Sequence, residues 1–310
     1  MNTLREAVHE YVAMRRALGV KLRCVEVVLL NFVRFLEHQG ASHITVHSVL
    51  SWAQQLTSVK PVTRIQRLCF VRGFARYRSA SDPRTEIPPG RLLPNPRRRP
   101  QPYIYTEHEI AQLLDAALHL APTHSLRPWT FYCLLGLLSV TGSRLGEVRE
   151  LKCEDVDLNE GILTIRGSKF GKSRLVPLHP STRKVLANYK QRRERFLAGR
   201  STPYWFVSKR GKQLPNATIH TTFYALSRQV GLRGPTASKG PRLHDMRHRF
   251  AHKTLLQWYR SGQDTERRLP VLSTFLGHVN ISDTYWYLSA WPELMNEAMK
   301  RLEQRWGSPS

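Results

Sequence analysis

Acidic side chains are scarce in this chain of 310 residues: 23 Asp and Glu stand against 48 Lys and Arg, a formal charge of +25. The excess is no local tail, since residues 1–100 hold 17 basic and 6 acidic side chains and the remainder 31 and 17. A balance this basic in both halves suits a protein that grips a long polyanion with two surfaces, more than a surface kept basic for solubility. Cysteine is sparse too: Cys24, Cys69, Cys133 and Cys153 lie far apart with no CxxC pair. That spacing speaks against a zinc site and a disulfide framework, and leads us to expect reduced core thiols in a cytoplasmic protein. No apolar run is long enough to span a bilayer, which sets aside a membrane as the polyanion. Residues Met1 to Arg16 are interrupted by charge and lack the apolar stretch of a signal peptide. A P-loop and internal repeats are also missing. What the chain does have is 41% hydrophobic content, enough for the core of one large or two ordinary domains.

Apolar residues recur at helical spacing in four segments up to residue 82: Leu4 to Met14, Val25 to Leu36, a third after Thr45 as N-cap, and Ile65 to Phe74. These predict a small all-helical domain. Its fourth helix carries Arg64, Arg67, Arg72, Arg76 and Arg78, either an ordinary solvated face or, as the lack of compensating acid favours, a phosphate-contacting one. Residues 83–102 then interleave seven prolines with Arg91, Arg97, Arg98 and Arg99, and read as an extended basic linker able to follow a nucleic-acid backbone. From 103 to 310 a second domain is expected. It opens with a helix at the Thr106/Glu109 capping box, has an apolar spine from Trp129 to Val140, and a β-hairpin from Leu158–Arg166 and Ser173–Leu178. The rest reads as helix broken at Pro180, Pro203, Pro215, Pro235, Pro241 and Pro270.

Six residues of that second domain have contexts suited to phosphoryl transfer. Arg144 stands in Thr141-Gly142-Ser143-Arg144-Leu145-Gly146-Glu147, Lys169 at the hairpin tip, and His244 and Arg247 in His244-Asp245-Met246-Arg247-His248. His278 closes Leu276-Gly277-His278, and Tyr287 follows nine residues later. Cutting a phosphodiester without a metal needs a nucleophile, charge stabilisation on the non-bridging oxygens, a proton acceptor and a proton donor. Arginine forks suit the oxygens in a way lysine cannot match. Gly142 would turn Arg144 into a cleft, with Glu147 as its buttress. His244 and His248 also mimic the paired ligands of a zinc protease, but Asp245 stands where that motif needs glutamate, and no third ligand follows. No metal or other cofactor is expected.

In this order and setting the residues closely resemble the signature of the tyrosine recombinase (phage integrase) family, over nearly the whole chain. The resemblance implies a mainly α protein with a small β-sheet: an all-α, SAM-like core-binding domain (1–82), the linker, and an α+β catalytic domain (103–310). It makes Tyr287 the nucleophile by its distance from His278, in preference to Tyr285. It makes Arg144 and Arg247 the oxygen clamps and His278 a donor. It makes His244 the acceptor or positioner of the tyrosine proton, and His248 a structural histidine. Lys169 becomes the acid for the 5′-oxygen, with Lys172 the alternative; Lys172 and Arg174 are otherwise read as DNA contacts. The partners implied are a double-stranded recombination site, a homo-oligomer that is a dimer on a site and a tetramer in the synapse, and accessory recombinases. The stretch from His248 to Leu276 is longer than in compact bacterial members, and Tyr285-Trp286-Tyr287-Leu288 resembles recombinases of transposons and integrated elements. Rival readings are a type IB topoisomerase and a non-enzymatic DNA-binding regulator. After Pro292, apolar residues at helical spacing predict a C-terminal helix that docks on a neighbouring protomer or caps its own core.

Overall fold

The computed structural model describes residues 3–20, 22, 24–94, 101–167 and 173–306. The protein is mainly α-helical with one small sheet, and it divides into two compact units, Met1–Arg99 and Pro100–Ser310.

The first unit holds α1 (Leu4–Ala17), α2 (Val25–His38), α3 (Val46–Gln55) and α4 (Pro61–Arg78). Thr3 and Thr45 cap α1 and α3 by accepting from backbone N–H groups of the first turn. The apolar stripes of α1, α2 and α4 meet around Val8, Leu29, Phe32, Val33, Val71 and Phe74, all buried. The proline-rich stretch expected to begin a linker at 83 is extended, yet as far as residue 93 it lies on this unit. The Glu86 backbone N–H donates to Ile44 O (2.8 Å) and its carboxylate accepts from Val46 N (2.6 Å), Arg72 donates to the carbonyls of Pro88 and Pro89, and Leu92 and Leu93 pack on the helical core. Prolines leave a segment with few donors of its own, so side chains of the helices supply them. Cys24 and Cys69 are exposed, contrary to the expectation of core thiols, because they lie outside the apolar stripes; Cys133 is buried and Cys153 half-buried.

The second unit is built around α6 (Arg127–Thr141), whose Phe131, Leu134, Leu135, Leu137 and Leu138 are buried between α5 (Glu107–Leu118), α8 (Pro180–Leu197) and α10 (Leu243–Arg260). It ends at Gly142, and the short α7 (Leu145–Glu150) follows. Strands β1 (Val156–Asp157), β2 (Ile162–Ile165) and β3 (Arg174–Pro177) form an antiparallel sheet in the order β1-β2-β3, with Ile165 opposite Arg174. α9 (Asn216–Gln229), α11 (Thr265–Leu276), α12 (Ser282–Ala290) and α13 (Pro292–Trp306) complete the unit. Pro270 sits inside α11 and does not break it, while Pro180 opens α8 and Pro215 caps α9. At a helix start a proline removes no bonded N–H.

The C-terminal helix, expected either to dock on a neighbouring protomer or to cap its own core, packs on α10 of its own chain. Leu294 is buried, and Arg301 of α13 donates to the carbonyls of Gln263 (2.7 Å), Trp258 (2.9 Å) and Tyr259 (2.7 Å) at the end of α10. Arg260 pairs with Glu293 at 3.0 Å. Three carbonyls at the C-terminal end of a helix make a natural seat for a guanidinium. No described helix is long and apolar enough to cross a membrane.

Candidate active site

Two glycines shape the site. Gly142, the left-handed cap of α6 (φ +59), has Phe250 Cδ1 2.7 Å from where a Cβ would stand, and Gly277, the cap of α11 (φ +68), has Arg174 Nη1 at the same distance. Only glycine combines that backbone with that closeness. Both turns leave carbonyls pointing at arginines. Arg247, on α10 and 2% exposed, donates to Gly142 O (2.9 Å) and Leu276 O (2.7 Å). Arg144 donates to Gly277 O at 2.9 Å.

Glu147 is the anchor of this cluster. Its carboxylate accepts from the guanidinium and backbone N–H of Arg144, both at 2.9 Å, and takes a two-pronged pair from Arg174 (3.0 and 2.8 Å). Burial alone would push the Glu147 carboxyl up; Arg174 first, then Arg144, hold it down at about 2. Arg174 also donates to Phe275 O (2.7 Å) and is nine-tenths buried. The expectation of Arg174 as a DNA contact is therefore corrected: strand β3 buries it against Glu147 and α11, where it braces the site. Three guanidinium groups around one carboxylate leave the pocket strongly positive, and Arg247, pushed down to about 10 by burial and by Arg144, stays charged at neutral pH.

Tyr287, on α12, is 2% exposed and lies among the histidines. Its phenol stands 3.2 Å from His248 Nδ1. His278 Nδ1 is 2.6 Å from Thr284 Oγ1, which fixes the imidazole beside the tyrosine ring. Burial holds both His248 and His278 down at about 4, aided at His248 by His244 and at His278 by Arg247, so both rings are neutral at pH 7. His244 is exposed as a residue, yet burial first and then Arg247 hold its imidazole down at about 4, and it meets His248 edge-on, 4.8 Å between centroids. His248, expected to be a structural histidine, thus stands at hydrogen-bonding distance from the phenol. The spacing of one turn between His244 and His248 could have flagged both. Tyr285, the competing tyrosine, is 47% exposed. No group of three His, Cys, Asp or Glu that could hold a metal ion occurs among the described residues.

Arg144, His244, Arg247, His278 and Tyr287 are brought together, while Lys169 and Lys172 lie outside the described residues, as do Arg97, Arg98 and Arg99. On α4, Arg76 is exposed and Arg67 half-exposed; Arg64 donates to Leu56 O and Arg72 to the extended segment.

Residues 104–293 match the phage integrase family. The chain belongs to that family, the tyrosine recombinases. It is 56% identical over 99% of both chains to a protein of Sinorhizobium fredii (strain NBRC 101917 / NGR234) named as an integrase/recombinase, y4rB. Among solved structures it resembles the Tn1549 transposon integrase in complex with transposon right end DNA, with a TM-score of 0.68 at 15% identity over 99% of this chain and 100% of that one. It also resembles a lambda integrase tetramer bound to a Holliday junction, with a TM-score of 0.62 at 18% identity over 92% of this chain and 77% of that one. Recombinases of this family share the fold and, at y4rB, a closely similar sequence.

Proposed function

We propose that this recombinase cuts and rejoins double-stranded DNA at specific sites through a 3′-phosphotyrosyl intermediate on Tyr287, in the integration, excision or transposition of a mobile element. The observation that carries the reading is the convergence of Tyr287 on α12, His248 and Arg247 on α10, Arg144 in the turn before α7 and His278 in the turn after α11. Tyr287 Oη attacks the scissile phosphorus as the phenol proton passes to neutral His248 Nδ1, with His244 positioned against that ring. A phenol, with a reference pKa of about 10, needs such a base and nearby cations. Arg144 and Arg247 stabilise the charge on the non-bridging oxygens, and His278, whose Nδ1 is occupied by Thr284, donates through its other nitrogen. The bond to the 5′-oxygen breaks and that oxygen takes a proton, a part that the family resemblance assigns to Lys169. The 5′-hydroxyl then attacks a partner strand's phosphotyrosine, so bond energy is kept without a nucleotide.

Kinship with y4rB, named as an integrase/recombinase, supports integration as the reaction, likeness to a transposon integrase supports the mobile-element role, and likeness to a lambda integrase tetramer on a Holliday junction supports assembly as dimers on a site and tetramers in a synapse, with accessory recombinases as further partners. The basic face of α4 and the Arg97–Arg99 run are assigned to backbone phosphates. A nicked suicide duplex carrying the end of the protein's own element should trap a denaturant-resistant adduct, in EDTA as in its absence. Tyr287→Phe should abolish the adduct while half-site binding is kept, and Tyr285→Phe should retain it. An adduct on Tyr285 would sink the assignment, and relaxation of a single duplex with no strand exchange would favour a topoisomerase.

A further inference from the structure

Tyr287 sits in a box of rings. Trp291 lies almost parallel to it (centroids 5.5 Å apart, planes at 8°), and so does His278 (6.1 Å, 19°). His248 (5.6 Å) and Trp286 (5.4 Å) meet it at a tilt. The two histidines belong to the chemistry and Trp286 is the neighbour in sequence. Trp291 has no part in either. It is the residue between α12 and α13, 5% exposed, on extended backbone (φ −131°, ψ 125°). His252 braces its ring edge-on at 5.1 Å and Trp286 at 5.7 Å.

The indole N–H of Trp291 is buried and meets no acceptor among the described residues. Leaving a buried donor unpaired is unfavourable, and leucine would fill an apolar place without that cost. The site therefore uses the property that no aliphatic side chain has, a broad flat face. Such a face has work to do at Tyr287, because swinging about the Cα–Cβ bond would carry the phenol oxygen away from His248, and reactions of this kind are sensitive to displacements of about 1 Å.

We propose that Trp291 is a positioning residue, whose indole face holds the ring of Tyr287 in the one orientation that keeps the phenol at His248 and presents it to the phosphate. The inference rests on the reading of Tyr287 as nucleophile. The test uses the full chain with the suicide duplex described above, and measures the single-turnover rate of adduct formation, half-site affinity, thermal midpoint and the adducted peptide. Trp291→Leu, which keeps apolar bulk and loses the flat face, should slow adduct formation by roughly threefold to tenfold, the upper part of the range an aromatic pair contributes. Half-site affinity should be unchanged. Trp291→Phe should recover the rate to within about twofold, since a ring face is restored. Leu294→Ala opens a void in the same cluster and leaves the ring on Tyr287 in place; it should lower the thermal midpoint without slowing the folded protein. The proposal is overturned if Trp291→Leu cleaves at the parental rate, if phenylalanine does no better than leucine, or if Leu294→Ala loses as much rate as Trp291→Leu. An adduct on another residue in the unmutated protein would instead bring down the nucleophile assignment, and the positioning role with it.

Discussion

Arginine does opposite work in the two units of this chain. On α4 of the first unit, Arg76 is exposed, Arg67 is half-exposed, and no carboxylate pairs with either among the described residues. In the second unit Arg144, Arg174 and Arg247 are pinned by a buried carboxylate and by carbonyls of two turns, with Arg247 only 2% exposed. A solvated guanidinium keeps its rotamer freedom and meets any phosphate with screened attraction, so it sets affinity and salt dependence. A guanidinium ordered before the substrate arrives, in a place poor in water, needs no reorganisation at the moment of reaction, so it sets rate. Charge alone does not tell the two kinds apart; what they are tied to does.

The largest break in that contrast should come from the pinned set. Arg247→Ala should slow adduct formation on the order of a hundred- to a thousandfold, the cost of about 3–4 kcal/mol for one preorganised donor, with half-site affinity nearly unchanged. Arg247→Lys should recover little, because an ammonium cannot satisfy Gly142 O and Leu276 O as a planar fork does. Equal losses in affinity and rate, measured by single-turnover cleavage and titration, would make Arg247 a mere phosphate anchor.

Glu147→Gln strikes the same network from below. It leaves Arg144 and Arg174 without their shared counter-charge, and breaking a buried pair in this way costs roughly 3–5 kcal/mol of stability. The pH dependence has a definite sign. The folded protein holds the Glu147 carboxyl at about 2, against an ordinary 4.5, so its contribution is complete above about pH 4.5 and is lost as pH falls through 2. Acid titration of unfolding free energy should therefore be steeper in that window for the parent than for Glu147→Gln. Parallel curves would show that the pair contributes nothing to folding.

The sequence told the local half of this arrangement and was silent on the long-range half. Thr45 and the Thr106/Glu109 box mark real helix starts, because a cap is decided by three neighbouring residues. The hairpin strands were legible from alternation, whereas β1, two residues long, gives no period to read. Pro270 misled because a proline's cost can be outweighed when a helix is held by buried Leu269, Leu272 and Leu276. At the site, Arg144, Arg247, His278 and Tyr287 are singled out by the resemblance of their motifs to those of the family. The pairing of Arg174 with Glu147 spans 27 residues, and the choice of His248 over His244 as the neighbour of Tyr287 depends on how α12 settles on α10. Neither is written in any local pattern. The extended stretch to residue 93 shows the same limit, since proline content declared its conformation and could not declare that Arg72 would hold it.

The smallest effect, and the sharpest check on the contrast, belongs to the solvated set. If Arg67 and Arg76 neutralise one phosphate each, the double variant Arg67→Ala, Arg76→Ala should lower the slope of log affinity against log salt by about two, and weaken binding equally on target and unrelated DNA. Once bound at saturating protein and low salt, the variant should form adduct at the parental rate, because no donor to the reacting phosphate has been removed. The titration must be run at several salt concentrations, since at low salt the remaining positive charge masks the loss. A drop in saturated cleavage rate comparable to that of Arg247→Ala would erase the distinction between the two kinds of arginine. An unchanged salt slope would return the α4 face to an ordinary solvated surface and move phosphate recognition in the first unit to other cations.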